Sequence, residues 1–98
     1  MSTKTDTEFK IGLVLNKNYV AVVYNDGVTP MELVAVMLIQ IFDKSRDDAI
    51  TLTKNVHENG KQVVLKSSKS YVRGKVYEAL EFMALHGYPQ FVIKCEEE

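Results

Sequence analysis

One run of residues, Tyr24 to Val34, constrains this chain more than any other, because a strand, a turn and a helix start follow one another within it. The strand is predicted from the almost wholly apolar residues Tyr19 to Tyr24. Asn25-Asp26-Gly27 then supplies the turn, since short oxygen-bearing side chains and a glycine that is free to take a positive φ favour tight turns.

The helix start that follows the turn has its own signals. Thr29 is predicted to be the N-cap, with Pro30 at the first helical position and Glu32 closing a capping box. The corner could be an ordinary connection with good turn chemistry. It could also collect hydrogen-bond acceptors at one fixed point, because Asn25 and Asp26 end the strand side by side.

The rest of the chain predicts two more helices and two more strands. Apolar residues cover nearly the whole circumference of the helix at Thr29–Asp43, which predicts that it is buried on several sides. Ser45, with Asp48 at the capping-box position, predicts a second helix that ends at Gly60. There follow a strand at Gln62–Lys66, a third helix at Tyr71–His86, a last strand at Phe91–Cys95 and a solvated acidic end at Glu96–Glu98.

The element order β-α-α-β-α-β predicts an α+β fold with three helices against a small, mainly antiparallel sheet. Ninety-eight residues suffice for one core. We therefore expect a flexible polar tail at residues 1–8 and a single domain at residues 9–98. Apolar residues alternate with others through Phe9–Leu15, which predicts one extra N-terminal strand in a hairpin with the next.

Charge and composition exclude several classes of function. Twelve Lys and Arg against 13 Asp and Glu give a net charge of −1, so no nucleic-acid partner is expected. No apolar run is long enough to span a bilayer and no signal segment opens the chain, which predicts a cytoplasmic protein with no membrane partner. Cys95 is the single cysteine and the two histidines lack metal-ligand spacing, so neither a metal nor another cofactor is expected.

Catalysis is not expected either, because it requires a nucleophile or an acid–base pair with an activating partner. His57 and Asp26 could form such a pair, but no serine or cysteine lies in a recognisable nucleophile motif, and no phosphate-binding loop occurs. Binding at the Tyr24–Val34 junction is the better interpretation.

Two motifs resemble those of a known family. Asn25-Asp26-x-x-Thr29-Pro30-Met31-Glu32, followed by Val56-His57-Glu58-x-Gly60, resembles the ClpS family, the small adaptors that hand N-degron substrates to Clp unfoldases. The resemblance runs ungapped from about Tyr19 to the end of the chain. It implies an adaptor that binds the free N-terminus of proteins starting with Leu, Phe, Tyr or Trp. It also implies delivery of these proteins to a ClpA/ClpC-type AAA+ unfoldase paired with a ClpP-type protease.

The resemblance implies that Asn25, Asp26 and His57 bind the terminal ammonium, which has three donors and needs acceptors once it leaves water. Histidine accepts only while neutral and ordinarily titrates at about pH 6.5, so binding is expected to weaken below that pH. The alternative for His57 is a helix-end histidine that satisfies a carbonyl.

The first side chain of the bound peptide is implied to enter an apolar recess, in which the family's methionine, here Met31, disfavours β-branched residues. Plain core packing is the alternative for the recess residues. Several positions depart from the family pattern. Gly27 stands where the family commonly has an acidic residue, and Gln90 stands where it usually has an aliphatic residue. Thr53 stands where the family usually has a methionine, and it is expected to make the recess wider and more polar. The recess positions are Val23, Thr29, Met31, Val34, Thr53 and Val56.

A second family surface, which docks on the N-terminal domain of the unfoldase, maps to Ser70, Gly74 and Lys75. Lys75 matches the family, whereas Ser70 and Gly74 replace a usually acidic and a usually hydroxyl residue. One alternative is a divergent ClpS-like paralogue with altered or lost N-degron binding that regulates a Clp unfoldase. Another is a domain akin to the C-terminal domain of the bacterial ribosomal stalk protein, against which the predicted ammonium site argues.

Overall fold

The structure is a computed structural model and describes residues 18–98. It confirms the α+β class and the order β-α-α-β-α-β. The predicted tail at residues 1–8 and the extra strand at Phe9–Leu15 lie outside the described residues. The elements are β1 at Tyr19–Tyr24, α1 at Met31–Phe42, α2 at Arg46–Asn59, β2 at Lys61–Ser67, α3 at Lys69–Leu85 and β3 at Val92–Glu97.

The apolar strand β1 lies at the centre of the sheet, in the order β2-β1-β3, and pairs antiparallel with both neighbours. Its residues 20–23 are all buried, as expected for a β-branched strand with a neighbour on each edge. Tyr24, at the end of β1, pairs with Lys61 on one side and Val92 on the other. The junction therefore leaves the sheet where β2 and β3 begin.

The core lies between the sheet and the three helices. Helices α2 and α3 each bury one apolar stripe, although Leu80 of α3 is 38% exposed. Fully buried side chains from different elements meet at the centre, and their burial is the main source of stability. The helix residues with no exposed surface are Met37, Leu38, Ala49, Val72, Ala79 and Met83.

Helix α1 is buried on one side, not on several as predicted. Val34 and Leu38 are buried, but Val36 and Ile39 are 38% and 37% exposed. So small a domain has too few elements to surround one helix. The exposed side of α1, together with Ile50 and neighbouring residues of α2, forms an open groove of about 450 Å³, which we call the outer groove.

The start of α1 also differs from the prediction. Pro30 is the N-cap, with φ −61° and ψ 140°, and no side chain caps the helix. The predicted capping box of Thr29 with Glu32 is therefore wrong. The Thr29 hydroxyl donates to Asp26 Oδ2 at 2.6 Å, because a charged carboxylate makes stronger hydrogen bonds than a neutral acceptor.

Both ends of α2 follow local sequence signals. Asp48 N donates to Ser45 Oγ at 3.1 Å, and Gly60 ends α2 with φ 87°, both as predicted. Helix α3 begins at Lys69, two residues before the predicted start.

Glu97 and Glu98 are exposed, as the prediction of a solvated acidic end requires, and Glu96 is half-buried; the last strand, β3, continues to Glu97, beyond the predicted end at Cys95. Glu96 accepts a hydrogen bond from the Tyr24 hydroxyl, and Glu98 lies 2.9 Å from Lys66 Nζ. These strand-to-strand partners explain why the acidic residues extend the sheet.

Candidate functional site

A backbone hydrogen bond joins the turn after β1 to the end of α2. Asn25 N donates to Gly60 O at 2.9 Å. Gly60 is the C-cap of α2, and the last turn of that helix carries His57. The bond therefore holds the turn beside the histidine, although the two segments are far apart in sequence.

Asp26 stabilises the turn through three hydrogen bonds. Its Oδ1 accepts from Val28 N at 2.9 Å and from Thr29 N at 2.8 Å, and its Oδ2 accepts from the Thr29 hydroxyl. Burial raises the pKa of Asp26, but the hydrogen bonds from Thr29 and Val28 outweigh burial and lower the pKa below the usual 3.8. The carboxylate is therefore charged at neutral pH and already engaged by the protein.

The turn itself needs a glycine. Gly27 has φ 72°, and no atom lies within 4 Å of the position that a Cβ would take. A side chain at this position would therefore be strained by the backbone conformation and not by lack of space. Asn25 Oδ1 lies 3.4 Å from Gly27 N, a long contact that leaves this exposed oxygen able to accept from a ligand.

The two segments enclose a cavity at the junction. It is lined by eight of the nine residues that the resemblance assigned to the ammonium site and the recess. Val23 is the exception, because its side chain is fully buried. Tyr24 and Phe91 were not predicted. The lining residues are Tyr24, Asn25, Asp26, Thr29, Met31, Val34, Thr53, Val56, His57 and Phe91.

The cavity is narrow. Its volume is about 20 Å³, enough for a single water molecule, so a Leu or Phe side chain can enter only if lining side chains move. Met31 and Thr53 line both this cavity and the outer groove. Met31 is 37% exposed and has a flexible thioether side chain. It is therefore the side chain whose movement would widen the cavity most easily.

The electrostatics of the cavity suit a cation. None of its ten lining residues, all within the described part of the chain, is Lys or Arg, and Asp26 carries a negative charge. Val56 and His57 lie in the last turn of α2, where the helix dipole places partial negative charge. An ammonium group would meet favourable potential from both segments.

The predicted docking residues lie elsewhere, in the first half of α3, and none of them lines the cavity. Ser70 and Gly74 are exposed and Lys75 is half-buried. Lys75 Nζ lies 3.7 Å from Glu78 Oε2 and 5.8 Å from the centre of the Tyr71 ring. The lysine is thus held in place by its own helix.

Residues 18–98 contain neither a membrane-spanning helix nor a metal-binding cluster. No helix there is long and apolar enough to cross a membrane. No three His, Cys, Asp or Glu side chains in that range lie close enough together to hold a metal ion.

Comparisons with known proteins identify the family. The family model described as ATP-dependent Clp protease adaptor protein ClpS matches residues 15–93. ClpS adapter proteins of Helicobacter hepaticus and Caulobacter vibrioides are each 34% identical over 80 residues, covering 82% of this chain and 81% and 71% of theirs. The structure of Agrobacterium tumefaciens ClpS2 bound to L-phenylalaninamide matches with 29% identity and a TM-score of 0.80. That match covers 85% of this chain and 99% of ClpS2. The chain therefore belongs to the ClpS family of Clp protease adaptors, as its motifs predicted.

Proposed function

We propose that this protein binds the free N-terminus of proteins that start with a bulky hydrophobic residue and delivers them to a Clp unfoldase. One observation carries the proposal: Asn25, Asp26 and His57, from two distant segments, line a single cavity together with apolar side chains. Such a site offers acceptors to an ammonium and an apolar surface to the adjacent side chain.

The acceptors have distinct roles in this proposal. The Asp26 carboxylate is engaged by the turn, so it acts through its charge, and its backbone carbonyl is left as an acceptor. Asn25 Oδ1 and an unprotonated ring nitrogen of His57 accept the remaining ammonium protons. Charge-assisted hydrogen bonds of this kind are stronger than neutral ones.

The side chain of the bound protein's N-terminal residue enters the cavity as the Met31 side chain moves aside. Burial of a Leu or Phe side chain contributes about 1.5–3 kcal/mol, which corresponds to tens- to about a hundredfold in affinity over a small residue. L-phenylalaninamide, the ligand of the matched ClpS2 structure, combines a free amine with such a side chain. This supports the same combination as the ligand here.

The site is tested by fluorescence anisotropy with a labelled peptide that starts with Phe. Asn25→Ala and His57→Ala are each expected to abolish measurable binding. Asn18→Ala, immediately before β1, and His86→Ala are matched controls, since neither residue lines the cavity. Unchanged affinity in both site variants would refute the site.

Delivery requires a second contact, which we place at Ser70, Gly74 and Lys75 of α3. A Phe-initiated reporter incubated with a ClpA/ClpC-type unfoldase and a ClpP-type protease tests this contact. Lys75→Ala should slow degradation and leave peptide affinity unchanged, whereas Lys66→Ala, at an exposed lysine of β2, should alter neither. Normal degradation with Lys75→Ala would show that docking uses another surface.

A second candidate function is regulation of a Clp unfoldase by a paralogue with altered or lost N-degron binding. The narrowness of the cavity, and the departures at Gly27, Thr53, Ser70 and Gly74, favour it. Peptides that differ only in the first residue, measured at neutral pH and at about pH 5.5, discriminate the two. Binding of none of them at neutral pH would support regulation without substrate capture.

A further inference from the structure

Thr53 carries a buried hydroxyl without a partner. The residue is 5% exposed. Among the buried side-chain oxygen and nitrogen atoms of residues 18–98, Thr53 Oγ1 is the one that makes no hydrogen bond. Threonine in a helix commonly donates to the carbonyl four residues earlier, here that of Ala49, but that bond is not made. A buried polar group left unpaired is unfavourable, so a ligand that pairs with it would be favoured.

The position of Thr53 relates this hydroxyl to the proposed ammonium site. Thr53 lies four residues before His57 on α2, a separation of about 6 Å along the helix axis. Both residues line the cavity. When the ammonium of a bound peptide lies at the level of His57 and its first side chain runs through the cavity toward the start of α2, the far end of a long side chain reaches the level of Thr53.

The structure also provides space for the side chain that must move. Thr53 and Met31 separate the cavity from the outer groove, since both line each of them. The groove is apolar where Val36, Ile39 and Ile50 form its wall. A displaced Met31 thioether can pack there, which would uncover Thr53 to an aromatic ring that enters the cavity.

We propose that Thr53 is a specificity-determining residue whose hydroxyl hydrogen-bonds the phenol hydroxyl of a first-position tyrosine. The inference rests on the proposed function and deepens it. A phenol group and a threonine hydroxyl can each donate and accept, so the pair satisfies two groups that would otherwise be buried unpaired. Phenylalanine fills the same space and leaves the Thr53 hydroxyl without a partner.

The test compares two peptides, identical except for Tyr or Phe at the first position, on wild type and on Thr53→Val. Valine keeps the branched shape and removes only the hydroxyl. The variant should bind the Tyr peptide about 3- to 10-fold more weakly and the Phe peptide at least as tightly as wild type does. Thr51→Val, at an exposed threonine of the same helix, should change neither affinity.

Each outcome decides a different claim. If Thr53→Val leaves the ratio of the two affinities unchanged, the specificity role is wrong and the N-terminus site stands. If wild type binds neither peptide, the proposed function fails and the role of Thr53 fails with it. A melting curve of Thr53→Val confirms that the variant is folded in either case.

Discussion

Replacement of Asp26 tests which interactions stabilise the turn at the proposed binding site. The carboxylate accepts hydrogen bonds from Val28 N, from Thr29 N and from the Thr29 hydroxyl. Asp26→Ala removes all three, whereas Thr29→Val removes the hydroxyl bond alone. The two variants therefore separate the bonds to the backbone from the bond to the side chain.

The magnitudes follow from the number of bonds lost. One intramolecular hydrogen bond contributes about 0.5–1.5 kcal/mol, and the loss of a helix N-cap, which like Asp26 accepts from backbone amides, costs about 0.5–2 kcal/mol. Thr29→Val should lower the free energy of unfolding by about 0.5–1.5 kcal/mol. Asp26→Ala should lower it by about 1.5–3 kcal/mol, measured by urea denaturation followed by circular dichroism.

The effect of Asp26→Ala should depend on pH in a defined direction. Because the folded-state pKa of Asp26 is lowered below 3.8, its contribution is fully present above the unfolded-state pKa and is lost as pH falls through the folded-state pKa. The difference in unfolding free energy between wild type and the variant should stay constant from about pH 7 to about pH 5. It should shrink below about pH 4.

Two results would contradict this reasoning. One is an Asp26→Ala variant as stable as wild type at neutral pH. The other is a stability difference that persists undiminished at low pH, because that would show that the ionised carboxylate is not what holds the turn.

Three further substitutions have defined expected outcomes. Gly74→Ala should raise the unfolding free energy by about 1 kcal/mol, since the glycine lies inside α3 with open space at its Cβ position; a lower melting temperature would contradict this. Leu38→Ala, at a fully buried site, should destabilise by about 2–5 kcal/mol in the same assay. The pKa of Tyr24 is raised above 10.0 by its hydrogen bond to Glu96, then by burial, so Tyr24→Phe should remove a late-titrating tyrosine from the ultraviolet absorbance titration.

The sequence predicted both ends of α2, because each depends on contacts between residues close together in the chain. The Ser45 cap and the Gly60 stop of α2 involve residues within one helical turn, and both were predicted correctly. Thr29 is not the cap: Pro30 occupies that position, and the Thr29 hydroxyl donates to Asp26, three residues earlier. A motif for one helix start does not show whether a hydroxyl will accept from the helix amides or donate to a nearby carboxylate.

Residue patterns could not predict the features that depend on contacts between residues far apart in the sequence. The bond from Asn25 to Gly60 brings the turn to His57, and only the resemblance to a family anticipated that these residues meet. Phe91 reaches the cavity because β3 pairs with β1 at Tyr24, a pairing that composition does not specify. The exposed side of α1 was missed for the same reason, since residue periodicity does not show how many neighbours a helix has.

The proposed site binds a charged amine and a large side chain together. Its most direct test is the affinity of wild type for one Phe-initiated peptide with a free N-terminus and for the same peptide acetylated at that terminus. Acetylation removes the charge and the ammonium donors, and the loss of two charge-assisted bonds of about 1.5 kcal/mol each predicts binding at least about a hundredfold weaker. Equal affinity for the two peptides would contradict the account.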